Sequence, residues 1–132
     1  MSIGDTATDD DTFAFTVNSF ECGIESVGSD MFGDEAQGQF CKLNITVENV
    51  GNEAQYMFAD SQLLFDDQGR EFSPDTSAMI YLEESSELWM SEINPGNSVT
   101  GDILYDVSKE FTADHLELHA TMFSGGIEVS IK

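Results

Sequence analysis

From Ser98 to Val107 the chain alternates: Val99, Ile103, Tyr105 and Val107 share one parity with Gly101, while Thr100, Asp102 and Asp106 take the other. That period of two is the mark of a strand with one buried face. Leu104 breaks it. Just before this run, Asn94-Pro95-Gly96-Asn97 has the chemistry of a type II turn, because proline sets φ near −65° and glycine accepts a positive φ. The pair predicts a turn feeding a long strand.

The same pattern recurs along the chain. Phe13, Phe15 and Val17 alternate with Ala14, Thr16 and Asn18, predicting a strand that runs to Cys22. Gly23 to Gly38 is polar and glycine-rich and reads as a long loop. Cys41, Leu43, Ile45 and Val47 then alternate with Lys42, Asn44, Thr46 and Glu48, and Asn49-Val50-Gly51-Asn52 ends that strand in a turn. Tyr56 and Phe58 mark a short strand, and Leu63-Leu64-Phe65 turns through Asp66-Asp67-Gln68-Gly69 into Arg70-Glu71-Phe72 as a hairpin. Between Pro74 and Glu92 the pattern is irregular: Met79, Ile80 and Leu82 fit a short helix or a loop, and Leu88, Trp89 and Met90 lead into the next strand. Leu116, Leu118, Ala120 and Met122 alternate with Glu117, His119 and Thr121, and Ser124-Gly125-Gly126 turns the chain into Ile127, Val129 and Ile131. About seven or eight short strands with no long helix predict an all-β fold, an antiparallel β-sandwich, with a partly closed barrel as the second choice.

Composition narrows this reading. A chain of 132 residues, 40% hydrophobic with ten phenylalanines and two prolines, suits one folded domain rather than an acidic tail. Residues 1–11, rich in aspartate, read as a flexible acidic leader, and residues 12–132 as the domain. Four basic residues against twenty-six acidic ones leave a net charge of −22. Lys42, Arg70, Lys109 and Lys132 are far apart in sequence, so nucleic acid is excluded as a partner and anionic membrane surfaces are disfavoured. Self-repulsion at this charge implies that salt or divalent cations stabilise the fold; a high-salt habitat or a cation-rich exterior would explain the bias, and a solvated acidic surface with no specific partner is the plainer reading. No apolar run reaches the roughly 18 residues of a transmembrane helix.

Three segments, in order, carry a family resemblance: Gly38-Gln39-Phe40-Cys41-Lys42-Leu43-Asn44-Ile45-Thr46-Val47-Glu48-Asn49, Leu64 to Phe72, and Ile93-Asn94-Pro95-Gly96 through Gly101 to Val107. Together they resemble a family of bacterial and archaeal extracytoplasmic proteins, often lipoproteins, with an immunoglobulin-like domain and no settled function. The resemblance spans about Phe13 to Ile131. It implies an immunoglobulin-like sandwich and export, often with a lipid anchor on an N-terminal cysteine, and it supplies no catalytic residues. Neither such a cysteine nor a lipobox stands in the leader.

Cys22 and Cys41 are the chain's two cysteines, and an even count in an exported domain suggests a disulfide; a small buried thiol at Cys41 is the alternative. His115 and His119 share a polar face, but strand geometry sets them roughly 13 Å apart, too far to share a zinc ion. Asp9-Asp10-Asp11, Asp66-Asp67 and Glu83-Glu84 offer hard oxygens to calcium without the spacing of an EF-hand. No Gly-x-Ser-x-Gly elbow is present, and Asn44-Ile45-Thr46 fits a glycosylation acceptor but lies within a strand. Met79, Tyr81, Trp89 and Met90 are a candidate interaction patch, or else the cover of the open end of the core. The function expected is a non-catalytic extracytoplasmic binding or scaffold module, without a cofactor, whose partner is a protein or cell-envelope component. A hydrolase using a carboxylate pair and a calcium-dependent adhesion module are the alternatives.

Overall fold

A computed structural model describes residues 1–28, 33–79, 81, 90–121 and 123–131 and, of residues 90 and 91, the backbone. Among them run ten strands: β1 (Thr6–Asp9), β2 (Phe13–Gly28), β3 (Gly33–Asn49), β4 (Gln55–Phe58), β5 (Leu63–Asp66), β6 (Glu71–Phe72), β7 (Met90–Ile93), β8 (Ser98–Val107), β9 (Ala113–Leu118) and β10 (Ile127–Ser130). One helical turn, α1 (Thr76–Met79), and a 3₁₀ turn, Ala59–Ser61, complete the elements. No described helix is long and apolar enough to cross a membrane. Antiparallel sheets β1-β2-β3-β8 and β10-β9-β5-β6, with the two-stranded β4-β7, make a β-sandwich. Phe15, Leu43, Ile45 and Ile103 from the first sheet share one core with Leu64, Leu116, Leu118 and Val129 from the second, and Met57 and Ile93 from the third.

The strand of residues 98–107 has the predicted bounds, and Leu104 breaks parity for a structural reason. The α1 turn packs on β8, the Asp75 N–H donates to the Leu104 carbonyl at 2.8 Å, and Ala78, Met79 and Leu104 are all buried. A strand covered on both faces loses its alternation. The turn ahead of it is also as expected, with Gly96 at φ +85° and the Asn97 N–H donating to Asn94 O at 3.0 Å. Fully buried Asn49 docks this turn, its amide donating to Ile93 O at 2.7 Å and Glu53 O at 2.8 Å while its carbonyl oxygen accepts from the Gly51 N–H.

Two expectations are corrected. Gly23–Gly38 is not a long loop, because β2 continues to Gly28 and β3 starts at Gly33, with Ser26 opposite Glu35 and Val27 opposite Asp34; residues 29–32 lie outside the described residues. A two-stranded ribbon beyond the sheet has little dry face, so its sequence carries no alternation to read. Residues 1–11 are not a flexible leader either. Residues 6–9 form β1 against Thr16 to Phe13, Ser2 bridges to Ser130, and Met1 packs on the core. The turn into β2 places Asp10 and Asp11 at φ 55° and 51°, a conformation that aspartate tolerates better than most residues. The described strands therefore number ten against the seven or eight expected, with β1 among the additions, while β6 is the second arm of the predicted hairpin.

Cys22 and Cys41 form the disulfide, at the register shift between Glu21 and Ile24. It ties the exposed ribbon to a fully buried residue of β3. Loop-closure entropy for a bridge of 19 residues' separation is worth about 3 kcal/mol. Urea unfolding with and without reductant is expected to show that loss; coincident transitions would refute it.

At the β5–β6 turn, Asp66 is 2% exposed and accepts from the N–H groups of Gln68 (3.0 Å) and Arg70 (2.9 Å) and from Arg70 Nε (2.6 Å). Burial pushes this carboxyl up, but the Arg70 N–H and guanidinium together with the Gln68 N–H outweigh burial and hold it below its ordinary value of 3.8. A depressed folded value means stability that is present above that pH and lost as pH falls through the folded value. Asp66→Asn is expected to flatten the acid limb of the stability profile. A limb as steep as the wild type's would count against this role.

Candidate binding cleft

β4 is short, yet its alternation has a consequence. Met57 points inward and is fully buried, so Tyr56 and Phe58 share the outer face, 51% and 42% exposed. Their rings stack at 6.2 Å with an interplanar angle of 25°. The β7 partner sets Glu92 directly opposite Tyr56, and the 3₁₀ turn that follows exposes Asp60.

The facing wall is the turn of residues 119–126, at whose tip Phe123 is 90% exposed. The turn is fastened from within. Asp9, 5% exposed, accepts from the N–H of Ala120 (2.7 Å), the hydroxyl of Ser124 (2.5 Å) and the N–H of Gly126 (3.1 Å). Gly126, at φ +79°, lies against the His119 ring, where an added Cβ would come within 2.5 Å of it.

Gln62 joins the two walls. Fully buried, it donates to Phe58 O and His119 O at 3.0 Å each and accepts from the His119 N–H at 2.9 Å, while its own carbonyl accepts from the Tyr105 hydroxyl at 2.9 Å. Burial pushes the Tyr105 hydroxyl far above its ordinary value, so it remains a neutral donor. Between the walls lies a cleft of about 520 Å³, within the usual range for small-molecule sites. Tyr56, Phe58 and Phe123 line it, Ala120 floors it, and Asp60 is the one carboxylate in its lining among the described residues.

Of the predicted patch, Met79 and Tyr81 are the two residues whose side chains lie among the described ones. Met79 is 1% exposed and belongs to the core, as the alternative reading had it, and Tyr81 is half-buried. Met90 opens β7, while Trp89, like Ile80, Leu82, Leu88, Met122 and the Glu83-Glu84 pair, lies outside the described residues. The aromatic cleft was missed although a signal existed: Tyr56 and Phe58 occupy the outward parity around Met57, where a strand ordinarily carries polar residues.

The histidines have separate surroundings. His115 stacks on Phe65 at 4.6 Å with Nδ1 2.8 Å from Asp114, whereas His119 Nδ1 lies 3.1 Å from Ser124 O and Nε2 3.3 Å from Glu117. Among the described residues no group of three or more carboxylate, histidine or cysteine side chains is placed to hold a metal ion. Asn44 is engaged in the sheet, donating to Asp102 at 2.8 Å and accepting from Asn18 at 2.9 Å.

The profile of a domain of unknown function, DUF4352, matches residues 1–129, β1 included. The chain belongs to the DUF4352 family. No curated protein matches it. Among solved structures, this DUF4352 chain is similar to the yjhA protein of Bacillus subtilis, with 18% identity, 99% of each chain covered and a TM-score of 0.71. It is similar also to the secreted protein MPT63 of Mycobacterium tuberculosis, with 11% identity, 99% and 95% covered and a TM-score of 0.67. A third is a candidate lipoprotein of Bacillus subtilis, ycdA, with 17% identity, all of this chain but 39% of that one covered, and a TM-score of 0.66. At such identities the likeness is one of fold, a β-sandwich.

Proposed function

We propose that this DUF4352 chain is a non-catalytic, extracytoplasmic module of immunoglobulin-like type that binds a component of the cell envelope in the cleft between β4 and the 119–126 turn. The observation that carries the reading is three exposed aromatic rings on one cleft. Such rings are held from below by the buried polar anchors Asp9 and Gln62, an arrangement that preorganises a surface instead of filling a core. Rings with Asp60 at their rim favour holding a ligand over cleaving it. The Cys22–Cys41 disulfide suits an oxidising compartment, and the fold's likeness to a secreted protein and a candidate lipoprotein supports the same placement.

Two measurements test it. Immobilised wild type and the Tyr56→Ser/Phe58→Ser double variant are exposed to the native envelope fraction, and everything retained, large or small, is identified by mass spectrometry. Both residues are exposed, so the variant should unfold within about 0.5 kcal/mol of the wild type. The expected result is a component held by the wild type and at least tenfold depleted on the variant; equal retention would overturn the assignment of the cleft. Alkylation of cells at lysis is expected to find Cys22 and Cys41 blocked as a disulfide, and two free thiols would remove the extracytoplasmic placement.

A further inference from the structure

We infer that the cleft receives an alkylated ammonium group, the head of a small organic cation. The inference rests on the cleft being a binding site and names the chemistry it takes. Aromatic faces carry negative quadrupole density, so rings lining one hollow attract a cation that is apolar at its surface. Tyr56 and Phe58 stack as one wall and Phe123 stands on the other. Two carboxylates flank the rings, Asp60 in the lining and Glu92 across the ladder from Tyr56. The basic residues among the described ones are placed elsewhere: Lys42 pairs with Glu21 at 3.3 Å, Arg70 with Asp66, and Lys109 lines a hollow beside Gly38 and Asp106. A net charge of −22 adds a field that draws cations and repels anions.

The lining then selects among cations. A metal ion needs a cage of hard oxygens, which rings cannot supply. A primary ammonium is strongly hydrated and would give up its water for few acceptors. Methyl or other alkyl groups on the nitrogen spread its charge over an apolar surface that rings can cover. A neutral apolar ligand would fit the rings but would leave Asp60 and Glu92 without a role.

The test is a titration of the intact chain, in about 50 mM salt where surface fields are weakly screened, with choline and with its uncharged isostere 3,3-dimethylbutanol. Choline is expected to bind saturably at about millimolar concentration, perturbing the NMR signals of Tyr56, Phe58 and Phe123, with the isostere at least tenfold weaker. Phe123→Ala should weaken choline roughly three- to tenfold, Asp60→Asn and Glu92→Gln together a few-fold, and about 1 M salt should weaken it further. Vesicles of phosphatidylcholine separate the sources of the group. Co-sedimentation lost in Phe123→Ala would identify a lipid headgroup, and choline binding without co-sedimentation a free ion; either supports the inference. Equal binding of the isostere would overturn the assignment of charge and leave the cleft a binding site. Choline binding unaffected by Phe123→Ala, or no ring perturbation up to about 100 mM choline, would overturn the inference, while the envelope capture still reports on the cleft.

Discussion

Replacing Asp9 by alanine is expected to destabilise the protein by about 4 kcal/mol, since three charge-assisted hydrogen bonds are lost at a carboxylate that is 5% exposed. Two of the donors are the backbone N–H groups of Ala120 and Gly126, which cannot turn to find new partners, and the N–H of Ala120 is buried. Net charge makes the result discriminating. In a chain of −22, deleting an exposed carboxylate relieves repulsion and should be neutral or slightly stabilising. Asp10→Asn is the matched control, because Asp10 is exposed and asparagine accepts its positive φ. Urea unfolding followed by far-ultraviolet dichroism is expected to show Asp9→Ala shifted strongly to lower urea and Asp10→Asn within about 0.5 kcal/mol of the wild type. If the two variants unfold together, Asp9 is no anchor. Because the same bonds hold the turn that carries Phe123, Asp9→Ala should also weaken any ligand that contacts that ring.

Gln62→Leu is expected to cost roughly 3 kcal/mol, with leucine keeping most of the volume and none of the three side-chain hydrogen bonds. The His119 N–H loses its acceptor, and the carbonyls of Phe58 and His119 lose their donor. Tyr105→Phe isolates the remaining bond of this cluster, the hydroxyl to Gln62 O, at about 1 kcal/mol. The order Gln62→Leu worse than Tyr105→Phe, read from urea midpoints at constant slope, checks the assignment. Equal midpoints would show that the three side-chain bonds of Gln62 contribute no more than the single Tyr105 bond. Since Gln62 ties the end of β4 to the start of the 119–126 turn, its loss should raise hydrogen exchange at both walls of the cleft ahead of β3 and β8.

The strands could be read where one face is wet and the other dry. β8, the Cys41–Val47 part of β3, and β9 alternate because the pleat sends successive side chains to opposite faces, and the turns at Pro95-Gly96 and Gln68-Gly69 announce themselves by residue type. The described parts of the ribbon, 23–28 and 33–38, gave no such signal because no residue there is fully buried and register shifts at Glu21/Ile24 and Ile24/Ser26 break the period of two, and β1 was hidden by the acidity of the residues around it. Of the cleft, the outward parity of Tyr56 and Phe58 was legible. Phe123 was not, because its part in the site depends on which strand its turn comes to lie beside.

Alternation and turn chemistry, each a property of a few neighbouring residues, were enough by themselves to specify antiparallel strands in two layers with an acidic exterior. Only the tertiary structure decided which polar groups went inside. Asp9, Asp10 and Asp11 are identical in type, yet Asp9 alone is buried, since it alone meets the unpaired N–H groups of a turn more than a hundred residues away in the chain. Asn49 and Gln62 follow the same rule. A buried polar side chain is tolerated where distant backbone donors and acceptors would otherwise go unsatisfied, and that condition exists only once the strands have packed.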